Sequence, residues 1–261
     1  SSRTPRMPGF ISVRLRFDFA DVAEVRAMFQ DRWERIPALS RPDPHTLRAD
    51  YVGRTGFRAS AKARCDRPFR LEADGRLVFP VALEPDESFT LHLWIGAVVG
   101  EGEVRLPEPI AAERGLDQAV AAWRSALPRI ETDDDGVNAL LARSADDLRA
   151  LWTWGTPRSG AFAAGIPHFV ACFGRDSLIA AYEFLMMGPP YAARTLRELA
   201  RYQGRKVNLV SEEEPGKILH EVRGGERSDP EHYPFFYATT DASLLFPVLL
   251  DAYLAWTGDL D

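Results

Sequence analysis

The stretch Phe10-Ile11-Ser12-Val13-Arg14-Leu15-Arg16-Phe17 decides how this chain begins. Ile11, Val13, Leu15 and Phe17 alternate with Ser12, Arg14 and Arg16, the period of a strand with one face buried and one in water. The same reading extends downstream to about Val99. Gly53 to Gly56 parts two strand-like runs, and Ala73-Asp74-Gly75 sits between Phe69-Arg70-Leu71 and Leu77-Val78-Phe79, a hairpin signal of the Asp-Gly kind. Leu91 to Val99 reads as a closing strand, and Ala20 to Trp33 as a helical turn or a long edge strand. Short antiparallel strands without helical periodicity predict a β-sandwich.

Beyond Leu106-Pro107-Glu108-Pro109 the period changes. Leu116, Val120, Ala121 and Trp123 fall at helical spacing in an Ala-rich stretch. Thr132-Asp133-Asp134-Asp135 then precedes Val137, Leu140, Leu141, Leu148 and Leu151, placing acidic residues at a helix N-terminus, where the dipole favours them. Further helices are predicted over 177–187, 191–202 and 242–256, joined by long loops that carry Gly and Pro, and long loops in a helical domain are where chemistry is sought. The expected fold is therefore α+β, with a β-domain over residues 1–106, a linker helix over 107–131 and a helical domain over 132–261.

Composition excludes several classes. A chain of 261 residues with a hydrophobic fraction of 46% supports two packed cores. A net charge of -6 without a segregated basic cluster argues against nucleic acid as a partner. No apolar run approaches the roughly 20 residues of a membrane span. Cys65 and Cys172 have neither disulfide-framework nor metal-ligand spacing and read as reduced structural thiols. Ser1 to Phe10 lacks the apolar core of a signal peptide, which predicts a cytoplasmic protein, although a chain opening at Ser1 is also expected to have lost its true start.

Among residues that carry chemistry, Asp241 stands directly before an apolar helix and reads, taken alone, as an N-cap. That position favours the ionised carboxylate, whereas a general acid must stay protonated, and Tyr233-Pro234-Phe235-Phe236-Tyr237 is the segment that would supply apolar walls to raise its pKa. Arg175 and Asp176 open another helix and read alone as an ion-paired cap. Lys217, His220 and Glu221 fall at i, i+3 and i+4, one face of a helical turn if a helix forms there. His220-Glu221-Val222-Arg223-Gly224 resembles a zinc-binding pattern, but Gly224 occupies the position of the second histidine, so no metal site is read, and no cofactor is called for. Trp152, Trp154, His168 and Phe169 surround a Gly-rich loop and offer rings for stacking, or simply core.

The order of several motifs carries a family resemblance. Phe19-Ala20-Asp21-Val22-Ala23-Glu24-Val25-Arg26 is similar to a stretch of the N-terminal β-domain of bacterial debranching-like proteins. Ala164-Gly165-Ile166-Pro167-His168-Phe169, Phe173-Gly174-Arg175-Asp176-Ser177, Glu214-Pro215-Gly216-Lys217-Ile218-Leu219-His220-Glu221 and Tyr237-Ala238-Thr239-Thr240-Asp241-Ala242 follow in family order. The chain thus resembles the amylo-α-1,6-glucosidase, or glycogen-debranching, family, with three departures: Ala23 where an aromatic is usual, Ala238 where Gly is common and Leu244 where Pro is frequent.

The resemblance implies an antiparallel β-sandwich followed by the first helices of an (α/α)6 six-hairpin toroid, so that the chain is a truncated piece of a larger glycosidase. It implies inverting, exo-acting hydrolysis of α-glucosidic bonds in an oligo- or polysaccharide, with Asp241 as general acid and the base beyond this chain. Arg175 and Asp176 would hold the terminal glucose, and Lys217, Glu221, His168, Phe169 and Trp154 would contact substrate at the mouth. The alternatives are a related glycosidase of the same barrel type acting on trehalose, kojibiose or a small glucoside, and a non-catalytic carbohydrate-binding relative. Oligomeric state is not readable.

Overall fold

The computed structural model describes residues 7–26, 31, 33–106, 109–156, 158–222, 225–227 and 235–260. The chain divides into two compact units, Ser1–Ala112 and Glu113–Asp261.

The first unit holds two antiparallel sheets. β1 (Met7–Arg14) pairs with β6 (Arg76–Leu83), which also pairs with β5 (Arg70–Leu71). β2 (Ala38–Asp43), β3 (Thr46–Val52), β4 (Arg58–Cys65) and β7 (Leu93–Val99) form the second sheet in that order. Leu47, Ala63 and Cys65 of one sheet and Leu77 and Phe79 of the other enter a single buried cluster with Phe69, and Ile11, Val13, Leu15 and Phe17 pack on it. The opening alternation thus does what its period requires: the apolar positions reach the core and Arg14 and Arg16 remain in water. Both hairpins form where expected, with Gly56 and Gly75 at φ of 83° and 80° in the turns. Strand β2 was not expected: all six of its residues are exposed and Pro42 lies within it, so it carries no alternation to read.

Among the described residues of Ala20 to Trp33 there is a helical turn, α1 (Val22–Val25), and no strand. A reciprocal cap starts it. The Asp21 carboxylate accepts the Ala23 N–H at 2.9 Å, and Glu24 reaches back to the Asp21 N–H at 3.1 Å. Glu24 also accepts the Trp33 N–H at 2.9 Å and pairs with Arg35 at 2.6 Å, both charged side chains being almost wholly buried. The debranching-like stretch is therefore a buried electrostatic clasp.

In the second unit, α2 (Pro109–Ala126) sets Trp123 flat on Phe184 at 5.6 Å, and the Trp123 indole N–H donates to the Ala145 carbonyl of α3 (Asp135–Leu151). Asp134 caps α3 by accepting from the Gly136 and Val137 N–H groups, the role the acidic run predicts. α4 (Gly174–Glu183), α5 (Pro189–Arg201) and α6 (Asp241–Thr257) follow at the predicted places. Leu178, Leu196, Leu199 and Leu249 join Phe162 and Trp123 in one core.

This unit is not helix and loop alone. Trp152–Thr156 (β8), Ser159–Gly165 (β9) and Phe169–Cys172 (β10) form an antiparallel meander, so the supposed Gly-rich loop is a sheet. Ser159-Gly160-Ala161-Phe162-Ala163 is buried throughout, and small residues buried on both faces show no period. β11 (Glu221–Val222) pairs with β12 (Phe235–Phe236). Cys65 and Cys172 are free and buried, and burial pushes their thiols up to about 11 and about 12, as inert structural cysteines require.

Gly174 makes a very close backbone approach in this unit. A Cβ there would lie 2.1 Å from the Leu219 carbonyl oxygen and 3.1 Å from the Ala242 Cβ. Gly174→Ala must push backbone from backbone, and we expect a loss of about 1–3 kcal/mol, the usual range for overpacking. Urea unfolding measures it; a midpoint equal to that of the unaltered protein would show that the approach is not required.

Candidate functional site

The first turns of α4 and α6 meet beside the segment Lys217–Glu221. The Gly174 N–H donates to the His220 carbonyl at 2.9 Å, and the Ile218 N–H donates to the Ser243 hydroxyl at 3.0 Å. These two bonds tie both helix starts to one segment. Arg175 and Asp241, 66 positions apart in the chain, are thereby brought together, with Arg175 Nη1 donating to Asp241 Oδ2 at 3.1 Å. Asp176 approaches the same guanidinium at 3.7 Å.

Neither carboxylate is the N-cap its sequence position suggests. Thr240 is the N-cap of α6 and Asp241 its first residue; Phe173 is the N-cap of α4, and Asp176 is the third residue of that helix. Neither N-cap side chain bonds the helix, unlike Asp134 in α3. Asp241 instead accepts a short hydrogen bond from the Thr239 hydroxyl, a second from Arg175 and a third from the Ala242 N–H. The Thr239 bond is the largest influence; partial burial opposes it, and the Arg175 bond and charge reinforce it, so the Asp241 carboxyl is held below the usual carboxylate value.

Among the described residues of the expected apolar wall, none packs on this carboxylate. Tyr233 and Pro234 lie outside the described residues. Phe235 packs on Tyr202 at 4.9 Å, Phe236 on His220 at 6.2 Å, and Tyr237 is buried with its hydroxyl on the Tyr202 carbonyl. The Arg175 and Asp241 side chains remain 48% and 41% exposed, so the carboxylate faces water and a cation.

The segment bearing Lys217, His220 and Glu221 is irregular up to a bend at His220 and enters β11 at Glu221, so the three do not share a helix face. Lys217 Nζ donates to the Glu212 carbonyl at 3.0 Å. Glu221 is buried in β11, opposite Phe236 and bridged to Phe173. His220 sits between Phe173 and Phe236 at 5.7 and 6.2 Å. Phe169, 49% exposed, extends this line by its edge contact with Phe173 at 6.2 Å, while His168 is exposed in the turn before β10. Trp154 lies on β8, but its side chain is outside the described ones, as are Arg223 and Gly224. Trp152 is core, against Phe162 and Tyr191.

Thr239, Phe173 and Ser243 were missed as contributors. A Thr two residues before a candidate acid is a readable signal, since its hydroxyl can bond forward along the chain. Phe173 and Ser243 act through contacts of distant segments and leave no local trace.

Residues 7–94 match the family model described as the N-terminal domain of (some) glycogen debranching enzymes. Over that span the chain is similar to a debranching-type N-terminal domain. This glycogen-debranching match lies within the first unit and stops short of Arg175, Asp176 and Asp241. No curated protein matches the chain. Among the described residues, no helix is long and apolar enough to cross a membrane.

The contacts of Asp241 predict its titration. A depressed folded-state pKa stabilises the fold above the ordinary carboxylate value of about 4, and that contribution fades as pH falls through the depressed value. Thr239→Val and Arg175→Ala should each raise the Asp241 pKa, observable by carbon-detected NMR titration of its carboxyl. An unmoved Asp241 in both variants would mean that other groups hold it ionised.

Proposed function

We propose that this chain contributes the general acid and sugar-gripping residues of an inverting, exo-acting glycoside hydrolase on α-glucans, of the amylo-α-1,6-glucosidase or debranching type. The observation that carries the reading is the convergence of Arg175, Asp176 and Asp241 at the joined starts of α4 and α6. The debranching-type match of the first unit points to the same substrate class, an oligo- or polysaccharide, and the proposed location is the cytoplasm. Residues 132–261 are assigned to the first part of an (α/α)6 toroid and residues 107–131 to its linker helix; residues 1–106 are assigned to the β-domain.

Inversion needs an acid that protonates the leaving oxygen and a base roughly 6.5–9.5 Å away that activates water. Asp241 is assigned as the acid; the base is assigned to no described residue. The depressed pKa of Asp241 sets a condition on this role. A sugar whose hydroxyls accept from Arg175 withdraws the cation from the carboxylate, and the ring shields it from water. Both changes raise the pKa toward the range a proton donor needs. Arg175 and Asp176 suit hydroxyl recognition because a guanidinium donates in a fixed fork and a carboxylate accepts. Phe169 and His168 offer exposed rings at the mouth, with Trp154 and Lys217 proposed further along the substrate and the buried Glu221 behind them.

Asp241→Asn in the intact enzyme should lower kcat about 10²–10⁴-fold while oligosaccharide binding survives, because shape is kept and the proton is lost. Isomaltose, panose and branched dextrin are the substrates to assay, and NMR of the first anomer released should show β-glucose. Initial α-glucose, or unimpaired turnover of the variant, would overturn the assignment. Preference for trehalose or kojibiose across a disaccharide panel would move the linkage within the same chemistry.

The open, ionised state of Asp241 also favours a second reading, a carbohydrate-binding relative without turnover. Saturable oligosaccharide binding with no glucose release by the intact, unaltered protein would select it.

A further inference from the structure

At the other end of α6 the second unit carries a cleft of about 550 Å³ that includes Arg158, Arg194, Arg197, Tyr253 and Asp259 in its lining. It lies away from the Arg175–Asp241 pair: Tyr253 is 12 residues along α6 from Asp241, about 18 Å at 1.5 Å per residue. Among the described residues that line it, three arginines face one acid, in a protein whose net charge is -6.

The position of each arginine follows from α5. Ala192, Ala193, Leu196 and Leu199 turn into the core, which leaves Arg194 and Arg197 on the outer face. Arg194 rests its guanidinium over the Tyr191 ring at 5.5 Å, which orders the side chain and leaves its N–H edge for a ligand. Arg158 enters from the turn between β8 and β9. The acid is partly engaged: Asp259 Oδ2 accepts the Tyr253 hydroxyl at 2.5 Å.

We propose that this cleft binds a phosphate monoester whose body bears hydroxyls, a sugar phosphate in chemical class. Guanidinium groups grip phosphate oxygens in pairs, and three of them balance a dianion even with one carboxylate nearby. The volume lies within the range of small-molecule sites and exceeds what a bare phosphate fills. Asp259, as an acceptor at the rim, suits a sugar hydroxyl. A neutral sugar satisfies none of the arginines, so glucose alone should not bind here.

The test is isothermal titration calorimetry of the intact protein with glucose 6-phosphate, glucose 1-phosphate, inorganic phosphate and glucose. Saturable binding of at least one hexose phosphate is expected, about tenfold or more tighter than inorganic phosphate, which separates the ester from the free ion. Arg194→Ala combined with Arg197→Ala should weaken it about tenfold or more. Arg197→Lys alone, which keeps the charge and removes the fork, should weaken it measurably and serves if the double variant does not fold. Arg175→Ala should leave it unchanged, so failure of the glycosidase reading and failure of this one are distinguishable. Four results overturn the proposal: no saturable binding, equal affinity for inorganic phosphate, binding lost with Arg175→Ala, or binding retained in the folded arginine variants.

Discussion

The second unit depends on one close approach, that of Gly174 to the carbonyl of Leu219. With hydrogen in place of a side chain, the first residue of α4 can lie against the backbone just before β11 and donate its N–H to the His220 carbonyl. Ala242, the second residue of α6, packs against the same glycine, and Ser243 holds the segment from the other side. Arg175 follows Gly174 in the chain, and Asp241 precedes Ala242. Their pairing is therefore a consequence of backbone packing, and the exposed ion pair itself does little to hold the fold.

That geometry sets the electrostatics. α3 starts with its own acidic cap, whereas α4 and α6 start with Phe173 and Thr240, whose side chains bond nothing in the helix. Asp241 takes up the Ala242 N–H from inside the first turn, and Thr239 and Arg175 complete its coordination. A carboxylate so surrounded is stable as an anion. Proton donation from it requires a ligand to exchange those partners, and the exposure of the Arg175–Asp241 pair leaves room for such an exchange.

Legibility varied with burial pattern. β1 and the hairpin turns were readable because one face is buried and glycine meets a positive φ at Gly56 and Gly75. α3, α5 and α6 were readable because 3.6-residue periodicity survives in their leucines and alanines. β9 was not, because Gly160, Ala161 and Ala163 are buried on both faces, and β2 was not, because it is exposed on both. Glu221 showed another limit: its spacing from Lys217 matched a helical turn, but a strand pairing with Phe236 decided the backbone.

The sequence by itself determined the change of period between a sheet-forming half and a helix-rich half, the acidic cap of α3, and the identity of the charged residues near the helix starts. Those are properties of short windows, where period, turn chemistry and capping act over a few residues. Only the tertiary structure decided that Arg175 meets Asp241, that the aromatic run before Asp241 turns to Tyr202 and His220, and that Arg158, Arg194 and Arg197 share a cleft. Each of these depends on which distant segments approach closely enough to touch, and that is set by core packing and by positions such as Gly174, where no side chain stands in the way.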